Sequence, residues 1–165
     1  MQTSTVTFPP PLPPLGKRDE GDAWVEGPNG QRFWGKFGAA GLLVWRRETG
    51  ILLQHRVAWS HFGGTWGIPG GARKKGESAI DGALREAAEE ATVPSDHLRV
   101  LHTLILDLGF WSYTTVVAEA LEPFEPVMAD AESNELRWVA VHEVVGLELH
   151  PGFASAWPEL REYLR

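Results

Sequence analysis

Apolar and polar residues along this chain follow two rhythms, and each change of rhythm marks an element. Ile80, Ala83, Leu84, Ala87, Ala88 and Ala91 recur at intervals of three and four, the spacing of one helix face, so residues 78–91 are read as a helix. Elsewhere short apolar runs end at turn residues, which predicts strands. Ala39 to Trp45 is a buried strand, and Ile51 to Arg56 follows it across the turn Glu48-Thr49-Gly50. Leu98 to Leu108 and Trp111 to Ala120 are two strands joined around Gly109, and Leu136 to Val139 is a short one. Asn29-Gly30, between Trp24-Val25 and Arg32-Phe33-Trp34, marks a hairpin, because its turn needs residues that tolerate φ > 0. Ala58 to Gly67 is a loop rich in glycine and aromatics, Glu122 to Ser133 is an acidic loop with prolines, and Pro151 to Leu164 is a helical tail that Pro158 breaks or restarts. Strands dominate, with one central and one terminal helix and no internal repeat: an α/β chain.

Phe8-Pro9-Pro10-Pro11-Leu12-Pro13-Pro14 carries five of the twelve prolines. Proline has no amide donor and resists helix and sheet, so residues 1–22 are read as a flexible arm and 23–165 as the folded domain. The plain reading of the tract is a loose terminal arm; the sharper one is a ligand for an aromatic groove on a partner.

Composition narrows the function. A chain of 165 residues with 43% hydrophobic and 22% charged residues suits one globular domain. It has no cysteine, which removes disulfides, thiolate metal sites and cysteine nucleophiles. No apolar run is long enough to span a membrane, and the first residues lack a basic region and an apolar core, so the expected place is the cytoplasm. The net charge of −7 argues against stable nucleic-acid binding. Such a chain acting on an anionic substrate needs a cation to mediate.

Glu86, Glu89 and Glu90 stand at i, i+3 and i+4, on one helix face, with β-carbons roughly 5–6 Å apart. Arg85 is the base beside them, and its position is turned about 100° from Glu86 around the axis. Three carboxylates this close make chemical sense beneath a hard divalent cation such as Mg²⁺, which takes oxygen ligands and shares them with phosphates. The preceding loop, Gly63 to Gly71, lets backbone approach a ligand, the helix N-terminus favours anions, and Arg73, Lys74 and Lys75 add positive charge. Together these point to metal-bridged phosphate chemistry.

Gly71, Glu77, Arg85, Glu86, Glu89, Glu90 and Val93 resemble the signature box of the Nudix hydrolases (MutT-like), and Trp66-Gly67-Ile68-Pro69-Gly70-Gly71 resembles its usual lead-in. At about 7% per residue type, six fixed positions match by chance with a probability of ~10⁻⁷ per start. Thr92 departs from the pattern, standing where the box has a glycine that ends the helix in a left-handed turn. The resemblance implies an α/β/α sandwich with a mixed central sheet. It implies a pyrophosphohydrolase that uses Mg²⁺ or Mn²⁺ to cleave a nucleoside diphosphate linked to another moiety. Carried over by position, Glu89 and Glu90 are metal ligands, Glu86 is a ligand or the general base, and the carbonyl of Gly70 or Gly71 completes the shell. Arg85 orients a glutamate, and Glu77 pairs or binds through water. Glu132, with Glu135 as second choice, is a later-loop carboxylate that serves as ligand or base in some members.

Arg56 closes a strand and is assigned to substrate phosphate, with Arg73 beside the box. Trp59, Phe62, Trp111 and Tyr113 are candidate stacking surfaces for a base. Trp34, Trp45 and Trp138 are read as core, and the six histidines show no metal spacing. The expected partner is a nucleotide-type small molecule, and a homodimer is compatible with this reading. The alternative is a non-catalytic nucleotide or metabolite sensor on the same fold.

Overall fold

The computed structural model describes residues 19–131 and 133–165. The proline tract and Glu132 lie outside the described residues. Strands β1 (Trp24–Glu26) and β2 (Arg32–Trp34) form the expected antiparallel hairpin, closed where Gly30 takes φ 79°. A seven-stranded sheet contains β3 (Ala39–Arg46), β4 (Gly50–Arg56), β5 (Trp66–Gly67), β6 (Gly70–Ala72), β7 (Leu98–Asp107), β8 (Ser112–Ala120) and β9 (Ser133–Val139). Its order is β5-β4-β3-β8-β7, with β6 on β3 and β9 on β4. β3 and β8 run parallel and the other pairs antiparallel, so the sheet is mixed.

Leu42, Leu43, Val44, Ile51, Leu52 and Leu53 are all fully buried, which an apolar run achieves only with both sheet faces covered. Each such burial contributes roughly 1.5–3 kcal/mol. Helix α1 (Ala79–Ala91) covers the face of Leu42, Val44, Leu52, Val116 and Ala118. Helix α2 (Pro151–Leu160) covers the other through Phe153, Trp157 and Leu160, against Leu43, Trp45, Ile51, Leu53 and Val117. The result is the three-layer α/β/α arrangement expected from the resemblance. β3 and β4 pair only at Trp45–Ile51 and Arg46–Gly50 before they part. β6 joins β3 beside Ala39–Gly41, which sets the box loop against the sheet.

Four local expectations shift. The buried stripe of α1 is rotated: Ile80 and Ala88 are exposed, whereas Gly82, Ala83, Ala87, Glu90 and Ala91 are buried. Thr92 itself adopts the left-handed turn, with φ 57° and ψ 36°, and its Oγ1 donates to the carbonyl of Val127 at 3.1 Å. Pro158 does not interrupt α2, because it falls in the last turns and removes one donor while Trp157 and Leu160 stay buried. Ordered structure begins before residue 23. Asp19 Oδ1 accepts from the Gly21 amide at 2.6 Å, and the buried Gly21 accepts from the Lys36 amide at 2.9 Å. Among the described residues no helix is long and apolar enough to cross a membrane.

Candidate active site

Ser78 starts α1 by accepting the Asp81 amide at 3.1 Å. Small residues then face the sheet, and the three carboxylates follow along one side. Their exposure falls steeply, from 57% for the Glu89 side chain to 15% for Glu86 and 7% for residue Glu90. Glu90 Oε2 accepts the Gly70 amide at 3.1 Å. A β-carbon on Gly71 would lie 2.7 Å from Glu86 Cδ, so a side chain there would push that carboxylate out of its place. The sequence spacing thus brings Glu86, Glu89, Glu90, Gly70 and Gly71 into one neighbourhood.

Arg85 departs from its helical-wheel placement, because a long side chain can curl back along the axis. Its Nε and Nη2 donate to Glu77 at 2.8 and 2.9 Å, in a fork on both carboxylate oxygens. Nη2 also donates to the Ala72 carbonyl at 3.0 Å, and Nη1 donates to Glu86 at 2.9 Å and Glu89 at 3.2 Å. All five guanidinium donors are engaged. The repulsion expected from sequence is therefore answered by a cation placed between Glu86 and Glu89. Among the described residues no three acidic or histidine side chains close around one point. The donor set nevertheless fits a hard divalent ion: carboxylate oxygens, backbone carbonyls and no sulfur or imidazole.

Burial divides the acids. It pushes the Glu86 carboxyl up to about 7, against the pull of Arg85. The Arg85 hydrogen bonds hold Glu77 below the usual carboxylate range, and Glu77 in return raises the Arg85 guanidinium. The Tyr113 hydroxyl packs where a side chain on Gly41 would stand. Burial raises its pKa, with Glu90 and Glu86 adding to the rise and Arg56 opposing it. Tyr113 therefore lies within the fields of both the acids and Arg56.

Around Arg56 is a cluster that the sequence reading passed over. Arg56 Nε donates to the His61 carbonyl at 2.8 Å. The His61 ring meets Trp24 at 5.9 Å and Phe62 at 4.2 Å, and Phe62 meets His150 at 4.7 Å. His150 caps α2, its Nδ1 accepting the Gly152 amide at 3.1 Å. Burial and Arg56 lower both imidazoles, His150 to about 4. Phe62 holds φ 54°, a conformation that a bulky residue rarely adopts. His61 and His150 come from separate elements, and no spacing in the chain links them; of this cluster Arg56, at a strand end, and Phe62, an aromatic in a glycine loop, stood out in the sequence.

The remaining candidates scatter. Trp59 is 47% exposed on the same loop. Trp111 is committed to the hairpin: it stacks on Phe33 at 4.5 Å and donates to the Trp34 carbonyl. Arg73 turns its Nε and Nη2 to the Glu77 carbonyl. Glu135 pairs with Arg137 at 2.8 Å.

Comparison with known proteins agrees with this geometry. The NUDIX domain family matches residues 35–162. "Putative 8-oxo-dGTP diphosphatase 3" of Mycobacterium tuberculosis is 49% identical over 154 residues, covering 87% of this chain and 70% of that protein. A "Nucleoside triphosphate pyrophosphatase/Nudix hydrolase fusion protein" of Bifidobacterium longum is 42% identical, over 89% of this chain and 32% of that one. Among solved structures, the Nudix hydrolase RenU of M. smegmatis superposes with a TM-score of 0.79 at 48% identity, covering 86% of this chain and 94% of its own.

Proposed function

Because the chain belongs to the Nudix family, and two relatives named above carry diphosphatase or pyrophosphatase in their names, we propose that it is an Mg²⁺-dependent pyrophosphohydrolase of nucleoside triphosphates. The name of the M. tuberculosis relative supports a purine nucleotide with an oxidised base as substrate. The observation that carries the reading is the Arg85 network. One guanidinium fixes Glu77, Glu86 and the Ala72 carbonyl together, so the oxygens of α1 and β6 are aimed before any ligand arrives.

Glu86, Glu89, Glu90 and the carbonyl of Gly70 or Gly71 would hold Mg²⁺ or Mn²⁺. A bound ion neutralises phosphate charge and makes water a better nucleophile. Glu86 serves either as a ligand of that ion or as the base that accepts the proton of the water attacking phosphorus. Arg56, with His61 and His150 packed around it, takes the phosphate chain as the cation of that cluster. Tyr113, Trp59 and Phe62 are offered to the base, and Glu132 remains the candidate second carboxylate.

The test is hydrolysis of a nucleotide panel, including oxidised purine triphosphates, with Mg²⁺ in ¹⁸O-labelled water. The reading requires metal-dependent release of a nucleoside monophosphate and pyrophosphate, or of a diphosphate and phosphate, with label on one product. Binding without turnover across the panel would instead favour the sensor.

A further inference from the structure

A groove of about 360 Å³ lies between the start of α1 and the β7–β8 turn, lined in part by Lys36, Phe37, Arg73, Ile105, Phe110 and Trp111. The groove is mixed in character: Asp107, Ser112 and Thr114 line it beside the rings and Ile105, and Ile105 is 60% and Phe110 36% exposed. Its cations already have partners: Lys36 pairs with Glu20 at 3.3 Å and Arg73 donates to Glu77. Rings and aliphatic carbon flanked by the hydroxyls of Ser112 and Thr114 and the Asp107 carboxylate are what the groove offers a ligand.

The described chain begins beside this groove. Gly21 accepts from the amide of Lys36 and packs on the carbonyl of Arg73, both groove residues. Outside the described residues, four positions before Asp19, ends the run Phe8-Pro9-Pro10-Pro11-Leu12-Pro13-Pro14-Leu15. Four residues reach at most ~14 Å when extended, enough to carry that run from Asp19 across the groove. Proline-rich segments dock on aromatic-lined grooves because their backbone has little entropy left to lose and their rings lie flat on aromatic faces. A tethered ligand also acts at an effective concentration of the order of millimolar, so modest contacts suffice.

We propose that Phe8–Leu15 of this chain binds the groove formed by Phe37, Ile105, Phe110 and Trp111 of the same molecule. The groove that suits the tract thus belongs to its own domain.

The chain has no cysteine, so Thr5→Cys in the full-length protein gives a single attachment point for a nitroxide. In the ¹⁵N-labelled protein the expected result is loss of amide signal at Ile105, Gly109, Phe110 and Ser112, with β4 and β9 signals retained. Ile105→Asp, at an exposed position that the fold does not need, should restore the lost signals. Pro10→Ser with Pro11→Ser should do the same with the groove intact. A mixture of spin-labelled ¹⁴N protein and unlabelled ¹⁵N protein should show no loss. Undiminished groove signals in the first sample overturn the proposal, as does a loss that survives both variants. A loss in the mixed sample overturns it in favour of a second copy.

Discussion

The acid cluster on α1 and the histidine cluster around Arg56 are built from one cause with opposite outcomes. Burial disfavours charge in both. In the first it is offset by four hydrogen bonds from Arg85 to the carboxylates, which keep Glu77 ionised and leave Glu86 poised near neutrality. In the second the cation is again an arginine, but its neighbours are bases, so they give up protons instead. On the proposed function, the first cluster would offer oxygens to a cation and the second the Arg56 guanidinium to an anion. A site that joins a metal to a phosphate chain needs both.

The sharpest way to separate the clusters is kinetic. Glu89→Gln or Glu90→Gln should lower kcat by at least ~10²-fold, about 2.7 kcal/mol of transition-state stabilisation. His150→Asn, which keeps the cap of α2, should instead raise KM with kcat nearly unchanged. Steady-state rates on the best substrate decide this, and full activity in either Gln variant would break the division.

Arg85→Met comes next. It leaves Glu77 and Glu86, only 14% and 15% exposed, without their cation. The expected loss of stability is about 3 kcal/mol, read from denaturant melts. An unchanged midpoint would mean that the network orders the site without holding the fold.

Glu86→Gln tests the sign of the burial effect. A carboxyl whose folded pKa of about 7 lies above its ordinary value of 4.5 favours the fold while protonated, below about pH 4.5. That contribution is lost as pH rises through 7. The metal-free Gln variant should therefore melt above the parent at pH 8, by the order of 2 kcal/mol, and the gap should close toward pH 5. A variant that melts lower at both pH values would show that the Glu86 charge supports the fold through Arg85.

The smallest expected effect lies at the end of α1. Thr92 holds a left-handed conformation that costs a β-branched residue roughly 1–3 kcal/mol, partly offset by its bond to Val127. Thr92→Gly should raise the melting temperature slightly without altering kcat.

Much of this arrangement was legible in the chain. Periodic alanines predicted α1, Asn29-Gly30 predicted the hairpin, and the box residues marked the acid cluster. The failures share a physical root. The curl of Arg85 depends on Glu77 and the Ala72 carbonyl, partners set by tertiary packing rather than by helical geometry. β5 and β6 are too short, and too rich in glycine, to leave an alternating pattern. Glu90 belongs to the buried face because Gly70 meets it there, which a hydrophobicity pattern cannot register. His61 and His150 meet only after α2 packs on the sheet.

Strand β7 has a consequence for how the protein keeps company at high concentration. Among the described residues it is the outer edge of the sheet, ten residues long, with Val100, Ile105 and Leu106 exposed. Unpaired edges of this kind recruit strands from other chains. The pairing of β7 with β8 slips between Val100 and His102, and such a bulge twists an edge out of the flat shape that stacking requires. Arg99 and Asp107 place a charge near each end of the strand. One irregular residue step and two charges thus guard against fibril growth along this border.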